Sequence, residues 1–167
     1  MAREVSSISR VGTSEPFELQ VARGQIAYHK TIFKFGFNPD VDNSLETVWA
    51  EGGLYNYLSA ASVLKVSSSS TADTSAGTGA RTVKLFGLDA DYNEIDEVIT
   101  LNGQTSVNTT QEFLRINRMI ILSAGSGGTN AGVVYAGTGT VTSGVPANKY
   151  ATVAVGDGQT LMALWTV

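Results

Sequence analysis

From residue 82 onward the sequence is a series of short apolar/polar alternations, each cut off by a turn signal after a few residues. A period of two places alternate side chains on opposite faces of a strand, so such runs form half-buried β-strands rather than helices. The runs fall at residues 82–88, 94–101, 105–110, 113–122, 133–136, 140–142, 150–155 and 160–167. Ile95, Ile99 and Leu101 share one face of the second run, with Asp96, Val98 and Thr100 on the other. In the fourth and longest, Leu114, Ile116, Ile120 and Leu122 share a face. Between the runs stand Asx- and Gly-rich turns: residues 89–93, Asn102-Gly103, two glycine clusters and Asp157-Gly158. Asn-Gly and Asp-Gly are favoured two-residue hairpin turns. Closely spaced strands with turns between them predict an all-β fold whose body, residues 67–167, is an antiparallel β-sandwich or jelly roll.

The first part of the chain has a different texture. Phe17, Leu19 and Val21 alternate with polar residues, Gly24 interrupts, and Ile26 and Tyr28 resume the pattern. Phe33, Phe35 and Phe37 form a second alternating set before the turn at Asn38-Pro39-Asp40. Residues 1–43 therefore read as an extended arm of two short segments. With so little apolar material of its own, the arm must rest its hydrophobic face on the body or on a neighbour. Residues 44–66 carry Trp49, Tyr55 and Tyr57 around Gly52-Gly53 and read as an aromatic hinge, with 59–66 leading into a strand. Residues 67–81, SSSSTADTSAGTGAR, have the composition of a linker or long loop.

Composition narrows the partners. Charged residues make up 16% of the chain, against about 25% in a typical soluble domain. Either part of the surface faces other protein, or Ser and Thr do the solubilising. A net charge of −4, with eleven scattered Lys and Arg, lacks the basic stripe that neutralises phosphates, so no nucleic acid is expected. The absence of cysteine excludes disulfides, thiolate metal sites and a cysteine nucleophile. No apolar run reaches the roughly 18 residues of a membrane span, and the N-terminus has no signal-peptide core, so no membrane is expected either.

Signals for chemistry are weak. Asp89, Asp91 and Asn93 have the one-three-five spacing that opens a calcium loop, but Glu94 and Thr100 stand where such a loop needs Gly and Glu. Asx residues are also what turns use. Glu94, Asp96 and Glu97 are neighbours on one hairpin rather than a pair facing across a cleft, as glycoside hydrolysis requires. His29, the single histidine, lies in the arm and reads as a surface or interface residue. There is no Gly-x-Ser-x-Gly elbow, and no glycine of the clusters precedes a lysine as in a phosphate loop. No catalytic, cofactor-binding or metal-binding residue is assigned, and no enzyme activity is expected.

Several stretches resemble a family of tailed-phage, podovirus-like proteins of marine and environmental phages. They are EPFELQVARGQI at 15–26, KFGFNPDVD at 34–42, ETVWAEGGLYNYL at 46–58, GLDADYNEIDEVITLNG at 87–103 and FLRINRMIILSAGS at 113–126. Together they span most of the chain. The resemblance implies a viral structural protein of the virion, assembled in the host bacterial cytoplasm. Its partners would be other virion proteins of a tail or neck ring or of the capsid, and it would form a homo-oligomer, a trimer being common for such bodies. Arm docking would use Phe17, Leu19, Val21, Ile26, Tyr28, Phe33, Phe35 and Phe37. A fibre, or fibre-to-tail adaptor, subunit is the favoured role. A capsid decoration or cement protein is the alternative, and a carbohydrate-binding module with Trp49, Tyr55 and Tyr57 as stacking platforms is a third. In the resembling proteins, sequence like Gln159 to Val167 continues through a turn into further strands, so the natural protein either ends at Val167 or continues beyond it.

Overall fold

The computed structural model describes residues 15–166. The first fourteen residues of the expected arm, and Val167, lie outside the described residues. The chain divides into two compact units, residues 1–33 and 34–167.

The second unit is a β-sandwich. Seven strands follow one another among its described residues: β1 (Ser62–Ser68), β2 (Ala80–Leu88), β3 (Glu94–Thr100), β4 (Val107–Phe113), β5 (Arg115–Ala124), β6 (Val134–Thr142) and β7 (Val145–Val153). They form a four-stranded sheet in the order β4-β1-β6-β7 and a three-stranded sheet in the order β3-β2-β5. Every strand pair is antiparallel. Two hairpins, β2–β3 and β6–β7, stay within a sheet; every other connection crosses between sheets. The sharpest crossing is at Leu114, the single residue between β4 and β5, whose amide donates to Leu88 O at 2.7 Å.

The inward faces meet in one core. Leu64 and Val66 of β1, Val83 and Leu85 of β2, Ile99 of β3, Phe113 of β4, Ile116 and Met119 of β5, Val134 of β6 and Val153 of β7 are all buried there. Fully burying such a side chain stabilises by about 1.5–3 kcal/mol.

The all-β sandwich matches the sequence pattern, and several local expectations are corrected. Residues 17–21 are not extended: Phe17–Ala22 is a short helix, α1. The amides of Leu19 and Gln20 both donate to Pro16 O, and Arg23 N to Leu19 O, closing the turns. Glu, Leu, Gln and Ala are good helix formers, and an acid in the first turn suits the helix dipole. Gly24, at φ +69°, ends the helix. Three alternating apolar residues are too few to separate a strand from a turn and a half of helix. The stretch 33–37 forms no strand either.

Residues 44–66 are not a hinge. Trp49 is 6% exposed and belongs to the core, and β1 begins at Ser62. The linker expected at 67–81 is an ordered loop whose ends are the buried tail of β1 and the start of β2. In β5 the expected inward face fails halfway. Phe86 pairs with Arg118 but Gly87 with Ile116, so Asn117 is an extra residue and forms a bulge. Beyond it the pleat is reversed: Met119 and Ile121 face the core, and Leu122 is 53% exposed. The runs at 133–136 and 140–142 are one strand, β6, bent between Thr138 and Val141. Strand β7 begins at Val145, not at residue 150. Asn102-Gly103 does turn, but it carries the chain from β3 to β4 in the other sheet, so it is not a hairpin turn. Residues 160–166 form no strand; a lone bridge joins Gln159 to Ile120.

Candidate functional site

In the first unit, α1 and the turns after it make a small self-contained structure. Arg23 pairs with Glu15, Gln20 Nε2 donates to Glu15 O at 2.8 Å, and Phe17 meets the His29 ring edge-on at 5.5 Å. His29 Nδ1 lies 3.0 Å from Ala27 O. Phe17 (53%) and Phe33 (76%) are exposed, as are Leu19, Tyr28 and Ile32, while Val21 and Ile26 are half-buried. Four of the six alternating positions in this unit are thus exposed, although their residue types belong in a core.

In the second unit, residues 34–58 fold into loops along one side of the sandwich. Gly36 packs between Val48 and Ala163, where an added Cβ would come within 2.7 Å of either side chain. The Phe37 amide donates to Leu161 O at 3.2 Å and the Ala163 amide to Val48 O at 2.9 Å. Asn38 reaches Glu46 and Thr47 O, and Thr47 N donates to Gly53 O at 2.9 Å, so 36–38, 46–48 and 52–55 are mutual neighbours. Phe35 and Phe37 nevertheless remain more than half exposed, in company with Val41, Leu45 and Leu54. Lys34 donates to Asn117 O and lies 5.5 Å from the centre of the Trp165 ring. Burial, with Arg118 nearby, lowers its ammonium pKa from 10.5 to about 8.

The three expected platform aromatics are spoken for. Trp49 Nε1 donates to Gly52 O at 2.7 Å. Tyr55 packs edge-on against Trp49 and Tyr57, and its hydroxyl donates to Tyr150 O at 2.8 Å; burial pushes the phenol well above its usual range. Tyr57 alone is exposed, at 53%, with the Arg115 guanidinium 5.1 Å from its ring centre. A row of three sugar-stacking faces is therefore not present.

The weak chemical signals resolve into structure. Asp89 Oδ1 accepts from the amides of Asp91 and Asn93, and Oδ2 from Asn93 Nδ2 at 3.1 Å, a closed Asx turn. The Asn93 side chain and then its amide hold the Asp89 carboxyl below its ordinary range. Asp96 pairs with Lys84 at 2.9 Å. Glu97 accepts from Thr110 N, Thr110 Oγ1 and Gln111 N of β4, within 3.0 Å. The amides of Gly125 and Gly127 donate to Gly79 O and Thr78 O, so that cluster does not cradle phosphate. Among the described residues no group of His, Cys, Asp or Glu is arranged to hold a metal ion.

Asp73 is the residue that sequence reasoning missed. It is fully buried, and its carboxylate accepts from Ser68 Oγ (2.5 Å), Ala80 N (2.7 Å), Ala131 N and Gly132 N (both 2.8 Å). Its carbonyl also accepts from Gly103 N at 2.8 Å. One side chain thus fastens β1, the 69–79 loop and the loop before β6. Gly79 has no room for a side chain because the Asp73 carboxylate would lie 2.0 Å from its Cβ. The available signal was a lone acid within a run of small residues.

Parts of the sheet edges are also occupied. Glu97 laces the edge of β3 to that of β4. Along β5, Ile121 N donates to Gly158 O, Thr160 N to Met119 O, and Asn117 exchanges two hydrogen bonds with the Thr166 backbone. At β7 the Tyr55 hydroxyl takes the Tyr150 carbonyl.

Compared with protein families, curated proteins and solved structures, the chain matches none of them.

Proposed function

We propose that this chain is a structural subunit of a tailed-phage virion, in the tail or neck, that assembles through its N-terminal region and is not an enzyme. The observation that carries the reading is the set of large apolar side chains left in water at Phe17, Leu19, Phe33, Phe35 and Phe37. A monomeric soluble protein rarely exposes so many large apolar side chains within a short stretch of chain. The covered parts of the sheet edges support the same reading: there, self-assembly by adding strands is discouraged, which leaves loops and arm for contacts. The resemblance of the residues at 15–26, 34–42 and 46–58 to phage structural proteins supplies the virion setting.

The test is incorporation. The deletion should end at residue 33, because residues from 34 onward help to build the sandwich. Chains lacking residues 1–33 are expected to fold yet be missing from purified particles; normal copy number would sink the proposal. Copy number of the intact chain decides placement. Tens or fewer with cyclic symmetry fit a tail or neck subunit, and hundreds with icosahedral symmetry fit a capsid decoration protein.

A further inference from the structure

An Asn or Asp side chain can be attacked at its carbonyl carbon by the backbone nitrogen of the residue that follows it. The product is a cyclic succinimide; Asn loses ammonia in forming it and Asp loses water. Water then opens the ring at either carbonyl. Opening at the main-chain carbonyl leaves isoaspartate, in which the backbone runs through the side chain and is longer by the Cβ. A small following residue eases ring closure, so Asn-Gly, Asn-Ser and Asp-Gly are the most labile pairs. Each occurs once in this chain, as Asn102-Gly103, Asn43-Ser44 and Asp157-Gly158.

The fold treats these pairs differently. Gly103 is buried at φ +60°; its amide donates to Asp73 O at 2.8 Å and its carbonyl accepts from Ser68 N at 2.9 Å. Its nitrogen is engaged and the backbone around it is pinned on both sides. The Ser44 amide donates to Asp42 Oδ1 at 2.5 Å. Asp157-Gly158 lies in the turn that leads from β7 to residues 159–166, and Asp157 is exposed. A Cβ added at Gly156 or Gly158 would meet nothing within 4 Å, so there is room for a ring. Among the described residues the Gly158 amide donates to no acceptor, and the Asp157 carboxylate accepts no hydrogen bond. The attacking nitrogen and the attacked carbon are both open.

We infer that Asp157 is the site of spontaneous isoaspartate formation in the folded chain, while the intrinsically faster Asn102-Gly103 pair is protected by its place beside Asp73. Gly158 N bonds to Asp157 Cγ and a carboxyl oxygen leaves as water. Water then adds at the Asp157 main-chain carbonyl and breaks its bond to Gly158 N, so the only reagent consumed and returned is water. The lengthened backbone enters Gly158, whose carbonyl accepts from Ile121 N at 2.7 Å. The modification thus loosens the point at which residues 159–166 are seated on β5.

Peptide mapping of the full chain, aged in neutral buffer both folded and in guanidinium chloride, tests this. Electron-transfer fragmentation locates isoaspartate, and mass reports deamidation. Over the time in which Asn102 converts completely in denaturant, the folded chain is expected to accumulate isoaspartate at Asp157, ahead of any change at Asn102 or Asn43. Asn102 should react at least about tenfold more slowly in the folded chain than in the unfolded one, because a buried amide reacts only when its region opens. A folded chain in which Asn102 or Asn43 is modified ahead of Asp157, or in which Asp157 is unchanged over that time, overturns the inference. Asp157→Glu must close a larger ring, which is slow, and serves as the control. Ageing should speed amide exchange at Ile121 in wild type and not in Asp157→Glu; equal exchange in the two aged chains would deny the loosened seat.

Discussion

Two residues show how far chemistry at a single side chain organises this fold. Asp73 satisfies the buried amides of Ala80 and Gly132 and the buried Ser68 hydroxyl, together with the amide of Ala131. Replacing it with Ala leaves several buried donors without an acceptor, each worth about 1–3 kcal/mol. Asp73→Ala is therefore expected to lower the unfolding free energy by at least about 3 kcal/mol in urea titration; a loss under about 1 kcal/mol would deny the carboxylate its fastening role. Lys34 acts in the opposite sense. The folded chain binds its proton less tightly than the unfolded chain, because the ammonium is partly buried beside Arg118. The charged form is thus a liability at neutral pH. That liability fades as pH rises from about 8 towards 10.5, since across this window the unfolded chain holds more protons. The difference in urea midpoint between wild type and Lys34→Met should shift in favour of wild type across this range. A constant difference would show that Lys34 is solvated as in the unfolded chain.

Among the elements, what could be read in the sequence depended on how local its cause was. Strands β2 and β3 are legible because alternation and an Asx turn lie side by side, and the same residues pair in the structure. The faces of β5 could not be read through Asn117, because a bulge is decided by the partner strand and by the Thr166 backbone that holds the Asn117 side chain. Likewise the 67–81 stretch is poor in apolar residues and reads as a linker; its order comes from polar contacts with residues some sixty positions away. Of the expected arm-docking residues, Phe17, Leu19, Tyr28, Phe33, Phe35 and Phe37 are exposed, whereas hinge residue Trp49 went to the core, since nothing local distinguishes a surface indole from a buried one. The lacing of β3 to β4 makes an element-scale prediction. Glu97→Ala removes the acceptor for Thr110 N and Gln111 N. Amide exchange at these two positions should accelerate by about tenfold or more, while the amide of Leu85 in central β2 changes little, because edge opening is local. Uniform acceleration across the sandwich would mean that Glu97 supports global stability instead.

For the molecule as a whole, the first β-rich run and the last stretch of chain are bound into one structure by segments that form no strand. Residues 159–166 lie along β5, place Met162 in the core and hold Phe37 and Val48 by backbone hydrogen bonds. The sequence reads this stretch as one more strand because its apolar residues are real. What it lacks is a partner strand in register, and the bridge at Gln159 is as far as pairing goes. Removing residues 159–167 should therefore do two separable things. Loss of a buried Met alone costs about 2–5 kcal/mol, so the unfolding midpoint should fall well beyond what a surface truncation causes. The carbonyl of Met119 and the side chain of Asn117 would also lose their partners, leaving much of the longest strand as an open edge beside exposed Leu122. An open apolar edge is a template for strand addition, so the truncated chain should scatter light and bind an amyloid dye at concentrations where the full chain stays clear. Met162→Ala separates the two effects: it should reproduce the loss of stability but not the aggregation. If it aggregated as readily as the truncation, the covered edge would not be what keeps the sandwich apart from its neighbours.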